Sequence, residues 1–190
     1  MKTKLTRVLL IPLLMTGISG SAFSDDDERE HGFFNRMWGG GKSADVAMVD
    51  NAKYQQECGS CHFAYQPGLL PARSWTKMMS GLDQHFGENA ELPAQDVAQL
   101  GAYLEANAAD RSDYKRSRKI ISSLEASDAP LRITEVPYII RKHRELSPRM
   151  LAENPQVVSL SRCQACHTRA ETGSYSESEI KIPGFGRWDD

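Results

Sequence analysis

Two short stretches decide how this chain reads: Cys58-Gly59-Ser60-Cys61-His62 and Cys163-Gln164-Ala165-Cys166-His167. Together they use all four cysteines of the 190 residues, and in each the second cysteine is followed at once by histidine. This is the spacing of covalent c-type haem attachment. Two thiols three residues apart on a helical turn reach the two vinyl groups of one porphyrin as thioethers, and the adjacent imidazole reaches the iron. Three other readings fit less well. A zinc ribbon usually separates its two cysteine pairs by about 15–20 residues, whereas 101 residues lie between Cys61 and Cys163. A thioredoxin-type redox pair wants a strand–helix setting, which the sequence around Cys58 does not offer. Two local disulfides leave both following histidines without a purpose. Two covalently attached c-type haems are therefore expected, held by Cys58, Cys61, Cys163 and Cys166, with His62 and His167 as the proximal iron ligands.

Each iron then needs a sixth ligand or has an open position. The remaining histidines are His31, His85 and His143; Met37, Met48, Met78, Met79 and Met150 are the methionine candidates downstream of residue 24. Trp75, Met78, Leu82 and His85 fall at i, i+3, i+7 and i+10, so one helical stripe capped by Ser74 carries three apolar groups and an imidazole. His143 ends a similar stretch, which Pro137 starts and in which Ile139 and Ile140 precede the histidine by four and three residues. Either histidine alone reads as an ordinary surface residue. With two irons to saturate and just these two on apolar helical faces, the expectation is His85 and His143 as distal ligands, paired by sequence proximity as His62 with His85 and His167 with His143. His31 follows an acidic run, Asp25 to Glu30, of the kind expected to be mobile and solvated. Met78 and Met79 read as core filler.

The rest of the composition is that of a soluble globular protein. Lys and Arg total 23 against 25 Asp and Glu, for a net charge of −2, and 40% of residues are hydrophobic. This balance argues against a nucleic-acid binder, which carries a strongly basic face. Met1 to Ser24 reads as a secretory signal: Lys2, Lys4 and Arg7, then the apolar Val8–Met15, then small residues at Ala22 and Ser24. Cleavage after Ser24 leaves 166 residues with a net charge of −5 and places the protein in the periplasm. No later apolar run approaches the length needed to span a bilayer.

The expected organisation is all-α. Residues 25–43 form an acidic and Gly-rich lead. Residues 44–110 make a first haem domain: a helix over 44–58, a Pro67–Pro71 loop, the Trp75–His85 helix, and a closing helix opened by Pro93 with Val97, Leu100 and Leu104 inward. Residues 111–190 make a smaller second haem domain: a basic helix over 113–124, the His143 helix, and a short helix from Gln156 that presents Cys163–His167. Only 23 residues follow His167, so its partner must come from upstream, and the tail from Ile180 to Phe185 is expected to fold back across the second haem.

Three further stretches carry a family resemblance. They are Glu57–Tyr65 around the first motif, Pro67-Gly68-Leu69-Leu70-Pro71-Ala72-Arg73-Ser74-Trp75, and His85-Phe86-Gly87-Glu88-Asn89-Ala90. With Pro130-Leu131-Arg132-Ile133-Thr134 and Lys142-His143-Arg144-Glu145, the chain resembles the bacterial diheme cytochrome c family over nearly all of its length beyond the signal. The resemblance implies a class I cytochrome c-like first domain, an unusual small second domain and His/His ligation of both irons. It also implies a soluble periplasmic electron carrier, not an enzyme, working between a membrane cytochrome b-type donor and a small c-type haem protein acceptor. Two saturated irons leave no position for substrate. A haem enzyme or gas-binding protein would need one open iron, and diheme peroxidases are longer with tandem domains. An electron-transfer subunit of a periplasmic reductase would share the chemistry and differ in its partner. Arg73, in the loop motif, is the best single candidate for a haem propionate contact. Arg111, Lys115, Arg116, Arg118 and Lys119, like Arg141, Lys142 and Arg144, read as solvated helix faces or as cations for propionates or for an acidic partner.

Overall fold

A computed structural model describes residues 44–188; the expected signal segment 1–24, the lead segment 25–43 and His31 lie outside the described residues. Helix α1 (Ala52–Gly59) begins where the Asn51 side chain accepts the Tyr54 amide hydrogen at 2.9 Å, satisfying a donor that the first turn leaves over. It is shorter than the 44–58 helix expected. The amides of Asp45 and Val46 go instead to the Gly173 carbonyl, at 2.9 and 3.2 Å, so this segment is spent on a long-range tie. A single 3-10 turn, Pro67–Leu69, follows the first Cys-x-x-Cys-His motif and buries Leu69 and Leu70 completely.

Helix α2 (Ala72–Met79) starts behind Pro71, not Ser74, whose buried hydroxyl has no partner among the described residues. It also stops early. Ser80 and Gly81 end it, and a 3-10 turn, Leu82–Gln84, delivers His85. The single stripe from Trp75 to His85 is thus split between a helix and a turn, because the glycine at 81 takes a non-helical conformation that weakens propagation. Helix α3 (Ala94–Ala106) opens after Pro93 and turns Leu100 and Leu104 inward, as its periodicity requires. Helix α4 (Lys115–Ile121) is the basic segment, and α5 (Pro137–Lys142) has proline at its first position and His143 at its C-terminal cap. Residues 154–162 form turns, not the helix expected from Gln156; α6 is only Cys163–Cys166. The tail adds a minimal antiparallel hairpin, β1 (Lys181–Ile182) with β2 (Gly186–Arg187), whose register pairs Lys181 with Arg187. Apart from that hairpin and two isolated bridges the described fold is helical and irregular, in keeping with the all-α reading.

One hydrophobic core runs through residues on both sides of Asp110. Leu69, Leu70, Trp75, Leu100 and Leu104 belong to the same buried cluster as Ile120, Val136, Tyr138, Ala170 and Tyr175. Polar ties hold the halves in register. The Ser117 hydroxyl donates to the Gly68 carbonyl at 2.8 Å, and a Cβ at Gly68 would stand only 2.8 Å from that hydroxyl oxygen. Trp75 closes the loop over itself, its indole N–H donating to Pro67 at 2.8 Å. Gly173 ends a 3-10 turn with φ +72° and lies so close to Val46 that an added Cβ would meet its carbonyl oxygen. Both the left-handed backbone, worth about 1–2 kcal/mol to an L-residue, and the close approach demand glycine. Gly173→Ala is expected to lower the denaturant midpoint by the equivalent of at least that amount, with the covalent haem content unchanged.

Candidate haem sites

The first motif sits at the end of α1. Cys58 is its penultimate residue, and Cys61 and His62 follow the break at Gly59, both exposed. The His62 Nδ1 lies 2.8 Å from the Phe63 carbonyl oxygen. A carbonyl only accepts, so the proton sits on Nδ1 and the Nε2 lone pair is left free to ligate. Opposite His62 stands His85, their ring centres 6.1 Å apart and their planes 17° from parallel. An isolated bridge to Glu88 holds the His85 backbone, and Phe86, at φ +56°, turns its ring to 4.8 Å from His85. The Arg132 guanidinium lies 4.0 Å over the Phe86 ring. Burial, then His62, then Arg132 hold the His85 imidazole below its ordinary pKa.

The second site repeats this arrangement with more cover. Cys163 and Cys166 bound α6, and His167 closes the turn by donating its amide to Cys163 at 2.8 Å. His143 faces it with ring centres 6.0 Å apart and planes 74° from parallel. His143 Nδ1 lies 2.8 Å from the Ile139 carbonyl one turn back, which again fixes the tautomer with Nε2 free. His167 Nδ1 is buried without a partner among the described residues. Its imidazole is pushed down to about 3, chiefly by burial, with His143 and Arg116 adding to it. A ligating imidazole must be neutral at the metal, and the lowered values of His85, His143 and His167 favour that form. Burial pushes the Cys58 and Cys163 thiols up to about 11.

Metal–imidazole bonds run about 2.0–2.1 Å and a ring nitrogen sits roughly 1.1 Å from its ring centre, so two imidazoles across one metal have centres about 6.2–6.4 Å apart. Both observed pairs come close to that span, and each Cys-x-x-Cys pair lies next to its own histidine. The residues therefore fit two c-type haems. No three His, Cys, Asp or Glu side chains converge on another metal-sized site among the described residues.

The two motifs are neighbours in space. A cavity of about 500 Å³ is lined by Cys61 and His62 from the first and by Gln164 from the second. The Tyr65 ring lies 5.3 Å from that of His62, tilted by 35°, and its hydroxyl donates to the Ser161 carbonyl at 2.5 Å, two residues before Cys163. Next to it, buried Gln66 donates to Ala170 and accepts from the Tyr175 hydroxyl, both at 2.6 Å, while the Tyr175 ring packs 5.1 Å from His167. Sequence reasoning passed over Tyr65, Gln66 and Tyr175 because their partners lie about a hundred positions away and no local pattern marks them. Arg73 donates from Nε and Nη2 to the carbonyls of Asp128 and Glu125, tying α2 to that turn.

Helices, a nearly strand-free core and two Cys-x-x-Cys-His sites with facing imidazoles define an all-α c-type haem protein. The family model for dihaem cytochrome c matches residues 54–175. The chain belongs to the dihaem cytochrome c family, whose members are electron-transfer proteins carrying two c-type haems. The solved diheme cytochrome c of Shewanella baltica OS155 is 42% identical, with 75% of this chain and all of that one aligned at a TM-score of 0.62. A diheme cytochrome c of Rhodobacter sphaeroides is 46% identical over 68% of this chain and all of its own, at a TM-score of 0.61. A second structure of the protein purified from that organism is 44% identical over 67% of this chain and 99% of its own, with a TM-score of 0.54. No curated protein is similar enough to match.

Tyr175→Phe leaves the buried Gln66 side-chain Oε1 without its donor, a defect worth about 1–3 kcal/mol. The variant is expected to unfold at correspondingly lower denaturant while keeping both haems and their spectra, since the ring against His167 is retained.

Proposed function

We propose that this dihaem cytochrome c is an electron carrier in which His62 with His85 and His167 with His143 fill the two axial positions of each iron. The observation that carries this reading is the pair of imidazole separations, 6.1 and 6.0 Å. Thioethers from Cys58 and Cys61 hold the first haem, and from Cys163 and Cys166 the second. Each bound haem supplies a one-electron couple. The chain's part is to keep both irons six-coordinate, so that no substrate or gas enters, and to hold the potentials below those of His/Met sites. Phe63 and Ile139 do this through their carbonyls, which lock the tautomers of His62 and His143. The position of Gln164 beside Cys61 and His62, with Tyr65 bonded just before Cys163, supports internal exchange between the two haems before the electron leaves.

Export to the periplasm, with cleavage after Ser24, is supported by the charged, apolar and small-residue pattern of Met1–Ser24. No helix among the described residues is long and apolar enough to cross a membrane. A membrane-bound cytochrome b-type donor and a small c-type haem protein acceptor suit such a carrier. Arg73 keeps guanidinium hydrogens beyond its two carbonyl bonds, and a propionate contact from them is compatible with its place in the loop motif.

His85→Ala and His143→Ala are each expected to convert one of the two irons to a high-spin form that binds carbon monoxide, leaving the other unchanged. Both irons inert to the gas in the parent protein and one reactive in each variant would establish the ligand set. A variant whose two irons both stay low-spin and unreactive would remove that histidine from it.

A further inference from the structure

Arg116, on α4, is a cation with an unspent donor in the interior. Its side chain is only 12% exposed, and its Nε–H is buried with no acceptor in the described polypeptide. The other nitrogens are occupied: Nη1 donates to the Tyr138 hydroxyl and Nη2 to the Tyr175 carbonyl, each at 3.0 Å. Asp45 provides the nearby counter-charge, with its carboxylate oxygen 3.5 Å from Nη2. That carboxylate is itself shared, since the same oxygen accepts the Tyr175 amide at 2.6 Å. The guanidinium lies 5.7 Å from the Tyr175 ring, which packs 5.1 Å from His167. Tyr138, its partner on α5, stands five residues before His143. Arg116 thus touches α5, which ends at His143, and Tyr175, whose ring packs against His167.

A buried guanidinium with an orphaned N–H is costly unless an acceptor completes it. The charge calls for a carboxylate, the planar fork suits one, and the only carboxylates a c-type haem brings are its propionates. We propose that Arg116 binds a propionate of the haem held by Cys163, Cys166, His143 and His167, and that its charge raises the reduction potential of that haem above the value it would otherwise have. This rests on the ligand assignment proposed above. Reduction adds one electron at the iron, so a fixed cation beside the site favours the reduced state and a fixed anion opposes it. Arg116 and Asp45 therefore act with opposite sign on one haem. The first haem has no equivalent buried guanidinium among the described residues; Arg132 stands over the exposed Phe86 instead.

Potentiometric titration of the holoprotein followed by electron paramagnetic resonance reads each haem by its own signal. Arg116→Gln is expected to lower the potential of the second haem alone by about tenfold in its reduction equilibrium, about 59 mV for one electron. Asp45→Asn, which keeps an oxygen for the Tyr175 amide, is expected to raise it. Arg116→Lys keeps the charge without the Nε–H, so it should retain most of the potential while the propionate bending band in the resonance Raman spectrum shifts. The Lys and Asn variants decide the matter even if Arg116→Gln fails to fold. Unmoved potentials, equal movement of both haems, or the same sign in Asp45→Asn and Arg116→Gln would overturn the proposal. A high-spin second haem in the parent protein would instead remove the ligand assignment beneath it.

Discussion

The proposed ligand set depends on one constraint, two imidazoles held about 6 Å apart, twice. Nothing in the side chains themselves sets such a gap. The backbone sets it, by fixing where each histidine sits and which way its ring turns. Three of the four histidines sit at the ends of helical turns, with His85 closing Leu82–Gln84, His143 closing α5 and His167 closing α6. His62 follows the break at the end of α1. At such ends the chain leaves the helical path, so an imidazole can face another segment without lying along a helix side. Carbonyls of Phe63 and Ile139 then fix two of the rings, which is the outer support that orients metal-ligating histidines generally.

The two sites share a spacing and differ in nearly everything else. Cys61 and His62 are exposed, whereas His167 and Cys163 are mostly covered and the shifts of their ionisation follow chiefly from burial. The ring planes are nearly parallel in one pair and nearly perpendicular in the other. A buried cation stands by the second pair, while the first has Arg132 stacked on an exposed aromatic. Burial, charge and axial geometry are the means by which a protein tunes a haem, so two chemically identical cofactors become inequivalent. Tyr65, Gln66 and Tyr175 tie the two sites together through hydrogen bonds and ring contacts.

The sequence made the chemistry legible and left much of the architecture hidden. Cys-x-x-Cys-His is a local pattern, so Cys58–His62 and Cys163–His167 could be read residue by residue. His85 and His143 followed from counting irons against histidines on apolar helical faces, and their rings stand 6.1 and 6.0 Å from those of His62 and His167. The helix drawn from Trp75 to His85 did not hold, since apolar periodicity continues across Ser80-Gly81 while the backbone does not. Ser74 looked like a cap from its position and is a buried residue inside α2. The tie from Arg73 to the 125–128 turn was hidden, because its partners are backbone carbonyls some fifty residues away. Long-range polar contacts leave no periodic trace, and the ties from Gln66, Tyr175 and Arg116 are all of that kind.

The most direct test of two bis-histidine irons is the electron paramagnetic resonance spectrum of the fully oxidised holoprotein. Near-parallel imidazoles give a rhombic low-spin signal, and near-perpendicular ones a highly anisotropic low-spin signal displaced to larger g. Two low-spin signals of equal weight, one of each form, are the result that follows from planes at 17° and 74°. A high-spin ferric signal amounting to one of the two irons would contradict it.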